Sequence, residues 1–376
     1  MRNFNIPLAR TLQILSILVL WLFLPSGVDA QQENPNRPEL GDRGLRGILG
    51  GVEFTVADSA RQRLVDRLDF ENYKELIRGL TQFGDREQGT ARNAAAVDWI
   101  EDQLRSWGYE TERIHYQYTP RGSDQPEPRE EVFATKVGDG MPGEMYILGA
   151  HMDGRGGGEA ANDDASGTAL VMEIARVLAA PDVGSNRSIR FALWNNEETG
   201  LNGSYAYVEQ RASRQGVEDP VGSGRYPEPT WLGMIQHDMM MWDHGMPRED
   251  GTYNPEQRPE ADINIEFQSR AKYADRAMRL GFFFRDANEK YATDYPAAVG
   301  NHMTNTDSTP FMDLVPSISL RENERGMHTG AGWNPTWHQP IDVFDTFSDD
   351  DFRLGLNAAQ TTLGAIGQLA GASFKR

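Results

Sequence analysis

Histidines and carboxylates gather at five places in this 376-residue chain. They are His151-Met152-Asp153, Asn162-Asp163-Asp164-Ala165-Ser166-Gly167, Asn195-Asn196-Glu197-Glu198-Thr199-Gly200, His237-Asp238 and Trp337-His338-Gln339-Pro340-Ile341-Asp342. Each alone has an ordinary reading. An Asp pair before a helix is normally a cap, and a Glu pair is normally a solvated turn. Together they offer imidazoles and carboxylates, and the sequence contains no cysteine to add a thiolate. That ligand set suits a catalytic divalent metal, most naturally zinc. Two such ions about 3.5–4 Å apart need a shared carboxylate, and Asp163 sits in a turn suited to that role. The same lack of cysteine excludes disulfide scaffolds, iron–sulfur clusters and cysteine nucleophiles.

Strands and helices must bring these pieces together. Val97, Ile100, Leu104 and Trp107 share one helical face over 91–107, with Gly108 placed to stop the helix. Residues 167–180 carry Leu170, Val171, Ile174, Val177 and Leu178 at helical spacing. A weaker helix is expected over 201–211, and a helix with Ser269 as cap over 269–280. Ser348 followed by Asp349, Asp350 and Asp351 opens a last one, acids complementing the dipole. Strands are expected at 109–118, 145–150, 188–194, 231–236 and 315–320. This alternation predicts an α/β fold, a three-layer sandwich with a central mixed, largely parallel sheet flanked by helices. Several of the chemical motifs follow directly on predicted strands, where open α/β sheets bind ligands.

The motif series resembles the di-zinc aminopeptidases, whose wider relatives include glutamate carboxypeptidases and glutaminyl cyclases. The resemblance runs from about residue 70 to 370. It is carried by Gly149-Ala150-His151-Met152-Asp153, Asn162 to Gly167, Asn196-Glu197-Glu198-Thr199-Gly200-Leu201-Asn202-Gly203-Ser204, His237-Asp238-Met239, Asp307-Ser308-Thr309-Pro310-Phe311 and His338. It implies two zinc ions per chain. Asp163 would bridge them, His151 and Asp238 would complete one, and Glu198 and His338 the other. Glu197 would be the general base for a metal-activated water, and Asp153 would orient His151 without being a ligand. The implied activity is zinc-dependent exopeptidase, foremost an aminopeptidase acting on peptide substrates. A single-zinc glutaminyl cyclase and a carboxypeptidase are the alternatives.

Some residues depart from the family pattern. Trp337 and Gln339 flank His338 where Tyr or a small residue and Thr are common, so a tyrosine oxyanion donor is missing there. Tyr205, Tyr291 and Tyr295 are weak substitutes. Trp at this place also occurs in the glutaminyl cyclases. Ser308 replaces the histidine of an Asp-His-x-Pro-Phe pattern, and Asp307 is assigned no metal. His328 competes with His338, which is preferred because Asp342 lies four residues on as an orienting acceptor. His237 should face away from Asp238 and be structural. His115, His244 and His302 read as surface or loop residues. The glycines at 154–158 lack the lysine of a phosphate loop and read as a flexible rim. Arg321 and Arg325 are candidates to bind a terminal carboxylate.

Composition sets the remaining bounds. With 39% hydrophobic residues the chain can build a core rather than stay disordered. A formal charge of −19 argues against nucleic acid as a partner. Arg2 and Arg10, the apolar run over 12–24 and Val28-Asp29-Ala30 predict a signal peptide over 1–30. The run is too short to span a bilayer, which takes about 20 residues, so no membrane association is expected after cleavage. The expected location is periplasmic or extracellular. Residues 31–51, rich in Pro, Asn, Gly and Arg, read as a flexible leader. Residues 52–376 read as one catalytic domain, with loops at 121–129 and 245–259.

Overall fold

A computed structural model describes residues 58–242, 263–292, 294–301, 305–322 and 335–375. The expected signal peptide and leader, the 245–259 loop, His244, His302, Arg325 and His328 lie outside the described residues. Seven helices are described: α1 (Ser59–Val65), α2 (Phe70–Thr81), α3 (Ala91–Ser106), α4 (Gly167–Ala179), α5 (Asn202–Arg211), α6 (Ala274–Tyr291) and α7 (Asp349–Leu369). The strands are β1 (Thr111–Tyr118), β2 (Glu127–Lys136), β3 (Met141–His151), β4 (Val183–Gly184), β5 (Arg187–Trp194), β6 (Thr230–His237), β7 (Ile263–Glu266), β8 (Ala297–Gly300), β9 (Ser317–Glu322) and β10 (Ser373–Phe374).

Eight strands form one sheet in the order β1-β2-β5-β3-β6-β9-β7-β8. The central run β5-β3-β6-β9 is parallel throughout. Antiparallel pairs at β1-β2, β2-β5 and β9-β7 make the sheet mixed, as expected. Side-chain alternation divides its two faces. Tyr146, Leu148 and Ala150 of β3 and Ile189, Phe191 and Leu193 of β5 join one apolar cluster with α1, α2, α3, α4, α6 and α7. Met145 and Ile147 of β3 and Ala192 and Trp194 of β5 join the other, with Ala206 and Tyr207 of α5. This is the period-two pattern of a sheet buried on both sides.

The helices follow from their sequences. In α2, Tyr73, Leu76, Ile77 and Leu80 are buried at helical spacing, and Asp69 caps Asn72 N at 2.7 Å. Each such side chain stabilises by about 1.5–3 kcal/mol when buried. Ser348 and Asp351 form a reciprocal capping box on α7. Helix α7 is buried nearly all round. It reaches that depth because a Cβ on Gly355 would stand 2.1 Å from Tyr73 Oη. The expectation at 269–280 is corrected: α6 begins at Ala274, after Tyr273, with no side-chain cap, and runs on to Tyr291. Part of the loop expected at 121–129 is strand, since β2 opens at Glu127.

Candidate metal centre

The site lies at the carboxyl ends of the four central parallel strands. His151 closes β3. Its Nδ1 is 2.9 Å from the main-chain carbonyl of Asp153. A carbonyl can only accept, so Nδ1 carries a hydrogen and Nε2 is the ring nitrogen left to meet a metal. That Nε2 faces Asp163 Oδ1 at 3.3 Å and Asp238 Oδ1 at 3.9 Å. Asp163 follows β3 in an irregular turn before α4, and its peptide to Asp164 is cis. Its second oxygen, Oδ2, is 3.2 Å from His338 Nε2. His338 Nε2 also meets Glu198 Oε2 at 2.8 Å.

Buried acids hold these loops by their amides. Asp342 accepts from Asn162 N at 2.8 Å and Asp163 N at 3.1 Å. Asp164 accepts from His151 N, Gly167 N and Met239 N at 2.9–3.2 Å. Asp153 accepts from Glu197 N at 3.0 Å and Glu198 N at 3.4 Å, just beyond the end of β5. Asp238 follows β6, and its Oδ2 accepts from Arg321 Nη2 at 2.5 Å and Thr306 Oγ1 at 2.6 Å. Asn196, Met239 and His338 all have positive φ, between 53° and 63°. Such conformations cost non-glycine residues about 1–3 kcal/mol and gather at functional sites. Gly156, at φ 105°, lets residues 154–158 run against His338, whose carbonyl carbon a Cβ would meet at 2.6 Å. The glycine run is therefore packed along the site, held by Gly157 N to Asp85 Oδ2 and Glu159 N to the Asp342 carbonyl.

The donor atoms fall into two groups, His151 with Glu197 and Asp238, and Asp163 with Glu198 and His338. Within each group they lie within 4.8 Å of one another. They line a cleft of about 240 Å³ to which Met239, Asn305, Arg321 and Trp337 also contribute. Trp337 stacks on His338 with ring centroids 4.1 Å apart.

Charge in the cleft is out of balance. Burial pushes the Glu197 carboxyl well above its ordinary range, and Asp307, Asp238 and Glu198 add to this against the pull of His151. Glu198 rises to about 7, from burial and then Asp163. Burial opposes a charge on His338, yet Asp163 and Glu198 outweigh it and hold it at about 9. His151 is raised likewise by the surrounding carboxylates. The carboxylates thus resist ionising together while the imidazoles draw in a positive charge. Both tendencies are those of a site that fits divalent cations. The spacing agrees. Donors on a tetrahedral zinc with bonds of about 2.0–2.2 Å lie about 3.3–3.5 Å apart, close to the 3.2 and 3.3 Å from Asp163 to the two imidazoles. Glu198 Oε1 is buried without a hydrogen-bond partner, an acceptor awaiting a cation.

All seven residues singled out from the sequence meet here: His151, Asp153, Asp163, Glu197, Glu198, Asp238 and His338. Three supporting roles differ from expectation. Asp153 orients His151 through its carbonyl, and its carboxylate serves the Glu197-Glu198 backbone instead. Asp342 grips the Asn162-Asp163 amides rather than the His338 ring. Arg321, a candidate for a terminal carboxylate, lines the cleft but pairs through Nη2 with Asp238. His237 is structural as expected, between the Gly149 carbonyl and Thr362 Oγ1. Tyr291 and Tyr295 do not line the cleft: their hydroxyls meet Asp58 N and the Asp350 carbonyl. The sequence reading missed Arg86. It is fully buried and donates to the carbonyls of Met152, Gly84, Glu159 and Ala160 within 3.0 Å. It thereby ties together the segments that carry His151 and Asp163. An isolated arginine before a helix gives no pattern from which this could be read.

Comparison with known proteins bears on this geometry. The model of peptidase family M28 matches residues 132–359, more than half of the chain. A protein of Pyrenophora tritici-repentis (strain Pt-1C-BFP) named "Probable zinc metalloprotease" is 32% identical over 183 residues, 43% of this chain. The chain spans about 37% of that relative's length. The structure is similar to an aminopeptidase from Aneurinibacillus sp. strain AM-1, with 18% identity, 84% of this chain and 97% of that chain covered, and a TM-score of 0.62. It is also similar to Bacteroides thetaiotaomicron glutaminyl cyclase bound to N-acetylhistamine, with 17% identity, 80% and 98% covered, and a TM-score of 0.59. At such identities the two structures speak for the fold alone. The family match is what spans every residue of the cleft's two donor groups, from His151 to His338: the chain belongs to peptidase family M28, the co-catalytic zinc exopeptidases its motifs resemble.

Proposed function

We propose that this protein is an exported aminopeptidase that holds two zinc ions. The observation that carries the reading is the placement of Asp163, whose two carboxylate oxygens each face a different imidazole. Asp163 would then be shared, His151 and Asp238 would hold one ion, and Glu198 and His338 the other. Bound there, zinc would supply Lewis-acid polarisation of the scissile carbonyl and acidify a water. Glu197, beside His151 and Asp238, accepts that water's proton during attack and returns it to the leaving amine. Asp153 fixes the Glu197 and Glu198 backbone, so the two neighbours keep separate duties. The carboxylates of the cleft suit an α-amine. Export rests on the segment at residues 1–30. No helix among the described residues is long and apolar enough to cross a membrane.

Trp337 against His338 is the one feature that favours a second reading, a glutaminyl cyclase with one zinc. The deciding experiment measures zinc per chain and tests free and N-acetylated aminoacyl-nitroanilides together with an N-terminal glutaminyl peptide. Two zinc ions with hydrolysis of free-amine substrates only is the expected result. One zinc, no hydrolysis and cyclisation of glutamine would overturn the aminopeptidase in favour of the cyclase.

A further inference from the structure

Asp238 and Glu198 hold corresponding places in the two donor groups, but their charges are treated differently. Asp238 Oδ2 is taken by Arg321 Nη2 at 2.5 Å and Thr306 Oγ1 at 2.6 Å. Both side chains of the ion pair are buried, 7% exposed for Arg321 and 4% for Asp238. Only Oδ1 remains turned toward His151. The Glu198 carboxylate has no arginine or lysine partner among the described residues. Its ion-pair partner is His338, itself a candidate ligand, and its Oε1 has no hydrogen-bond partner. Arg155 reaches Glu198 only at the main-chain carbonyl. With Asp163 common to both, one position offers an imidazole and a carboxylate already balanced by a guanidinium. The other offers an imidazole and an unbalanced carboxylate with both oxygens to give. Glu197 lies with the first group, but in the proposed function it is the proton acceptor and not a ligand.

We infer that Arg321 makes the two zinc positions unequal, so that the Asp163-Glu198-His338 position fills first and the His151-Asp163-Asp238 position is the weaker, exchangeable one. The inference rests on the reading that both groups hold zinc. A fixed unit charge a few ångströms from a partly buried ion changes its binding by about tenfold or more, even at an effective dielectric of ~20. Arg321 therefore sets the free zinc concentration at which the second ion is held.

The test is competition between the full zinc-free protein and a fluorescent zinc chelator, which yields both dissociation constants without reference to activity. Wild type should show two constants at least about tenfold apart. Arg321→Met should tighten the weaker constant at least about tenfold and the tighter one by less, whereas Arg321→Lys stays near wild type. Thr306→Val removes a hydrogen bond from the same oxygen without changing charge, and should not tighten it. Should the methionine variant fail to fold by circular dichroism, Arg321→Gln makes the same charge change with a polar side chain and carries the same expectation. A weaker constant that is unchanged or loosened when the charge is removed overturns the inference while leaving two zinc ions in place. A wild type that never takes a second zinc overturns the two-ion reading beneath it, and the inference falls with that reading.

Discussion

Replacing Glu197 with glutamine should move activity and stability in opposite directions. The side chain is buried, 8% exposed, and its peptide nitrogen is fixed by Asp153 at 3.0 Å. Glutamine keeps the shape and one acceptor oxygen but cannot take a proton. Loss of a positioned general base costs about 10²–10⁴ in rate, or about 3–5 kcal/mol of barrier. We therefore expect kcat on an aminoacyl-nitroanilide to fall by about 10²–10⁴ with KM little changed, since the loss is confined to the transition state. The zinc-free protein should gain stability. In the fold, burial and then Asp307, Asp238 and Glu198 raise the Glu197 carboxyl well above its ordinary 4.5, against His151. A carboxyl raised on folding holds its proton more tightly in the folded state. It leaves stability intact below the ordinary value and lowers it as pH rises from there toward the folded value. The variant lacks this penalty, so its melting point in chelator should exceed that of wild type at pH 8, with the advantage shrinking toward pH 4.5. A rate within tenfold of wild type with zinc retained would refute the base assignment. A zinc-free variant that melts below wild type at pH 8 would refute the account of its surroundings.

Asp153→Ala leaves the carbonyl that orients His151 but frees the Glu197-Glu198 backbone. The rate should drop about 10–100-fold with two zinc ions still bound. Loss of the ion at His151 with the rate per loaded enzyme intact would instead place the carboxylate's role at the imidazole. Away from the site, Glu228→Gln strands the buried Arg190, which meets Glu228 Oε2 at 2.5 Å with both side chains at most 1% exposed. We expect about 3–5 kcal/mol lost in urea unfolding and unchanged zinc constants, and a loss below about 1 kcal/mol would mean the pair behaves like a surface one. His237 is pushed down to about 4 from an ordinary 6.5, chiefly by burial. Between those values the unfolded chain takes a proton the folded one refuses, so stability is full above pH 6.5 and falls by about 3 kcal/mol toward pH 4. In chelator, His237→Gln should lack that share of the acid slope, and equal slopes would refute a buried neutral imidazole.

The sequence made the central strands and the donor residues legible because both obey short-range rules. The stretch at 188–194 is continuously apolar apart from Ser188 and Arg190, and emerges as β5, buried on both faces. Ser348 and its three acids announce α7 through local capping chemistry. The residues at 269–280 misled for the same reason. Ser269 is a good cap by type, but α6 is placed by Phe283, Phe284 and Ala287, which must reach the core and draw the helix onward to Tyr291. The strands β7 and β8 are only four residues long and pair far from their own neighbourhoods, so no periodic signal marks them. At the site, residue types pointed to the ligands, while the supporting contacts were misassigned. Asp342 lies one helical turn past His338 in sequence, which suggested a ring acceptor. His338 has φ 53°, so the chain is not helical there and the carboxylate turns to Asn162 and Asp163. The pairing of Arg321 with Asp238 is not legible in the sequence because the two lie 83 residues apart.

A common principle runs through those supporting contacts. The acids behind the candidate ligands grip peptide amides rather than imidazoles: Asp153 holds Glu197 and Glu198, Asp164 holds His151 and Met239, Asp342 holds Asn162 and Asp163, and Glu131 holds Asn195. Strand ends leave such N–H groups without ladder partners, and a buried amide left unpaired costs about 1–3 kcal/mol. A carboxylate can satisfy two or three at once, fixing even the left-handed turns at Asn196 and Met239. The arrangement has its own cost, since burial raises Asp153 and Asp342, the latter to about 7, and raises Asp164 and Glu131 well above the ordinary range. Divalent cations in the cleft would offset that concentration of negative charge, which couples metal binding to the stability of the strand ends themselves. Arg321 and Arg86 supply fixed positive charge where zinc does not. One balances Asp238 directly, and the other is drawn on by Asp342, Asp153 and Asp164 while it pins their loops by the carbonyls. The acid-rich cage thus accounts in one argument for the fit of the cleft to cations, for the hydrogen bonds that hold its loops, and for the two buried arginines beside it.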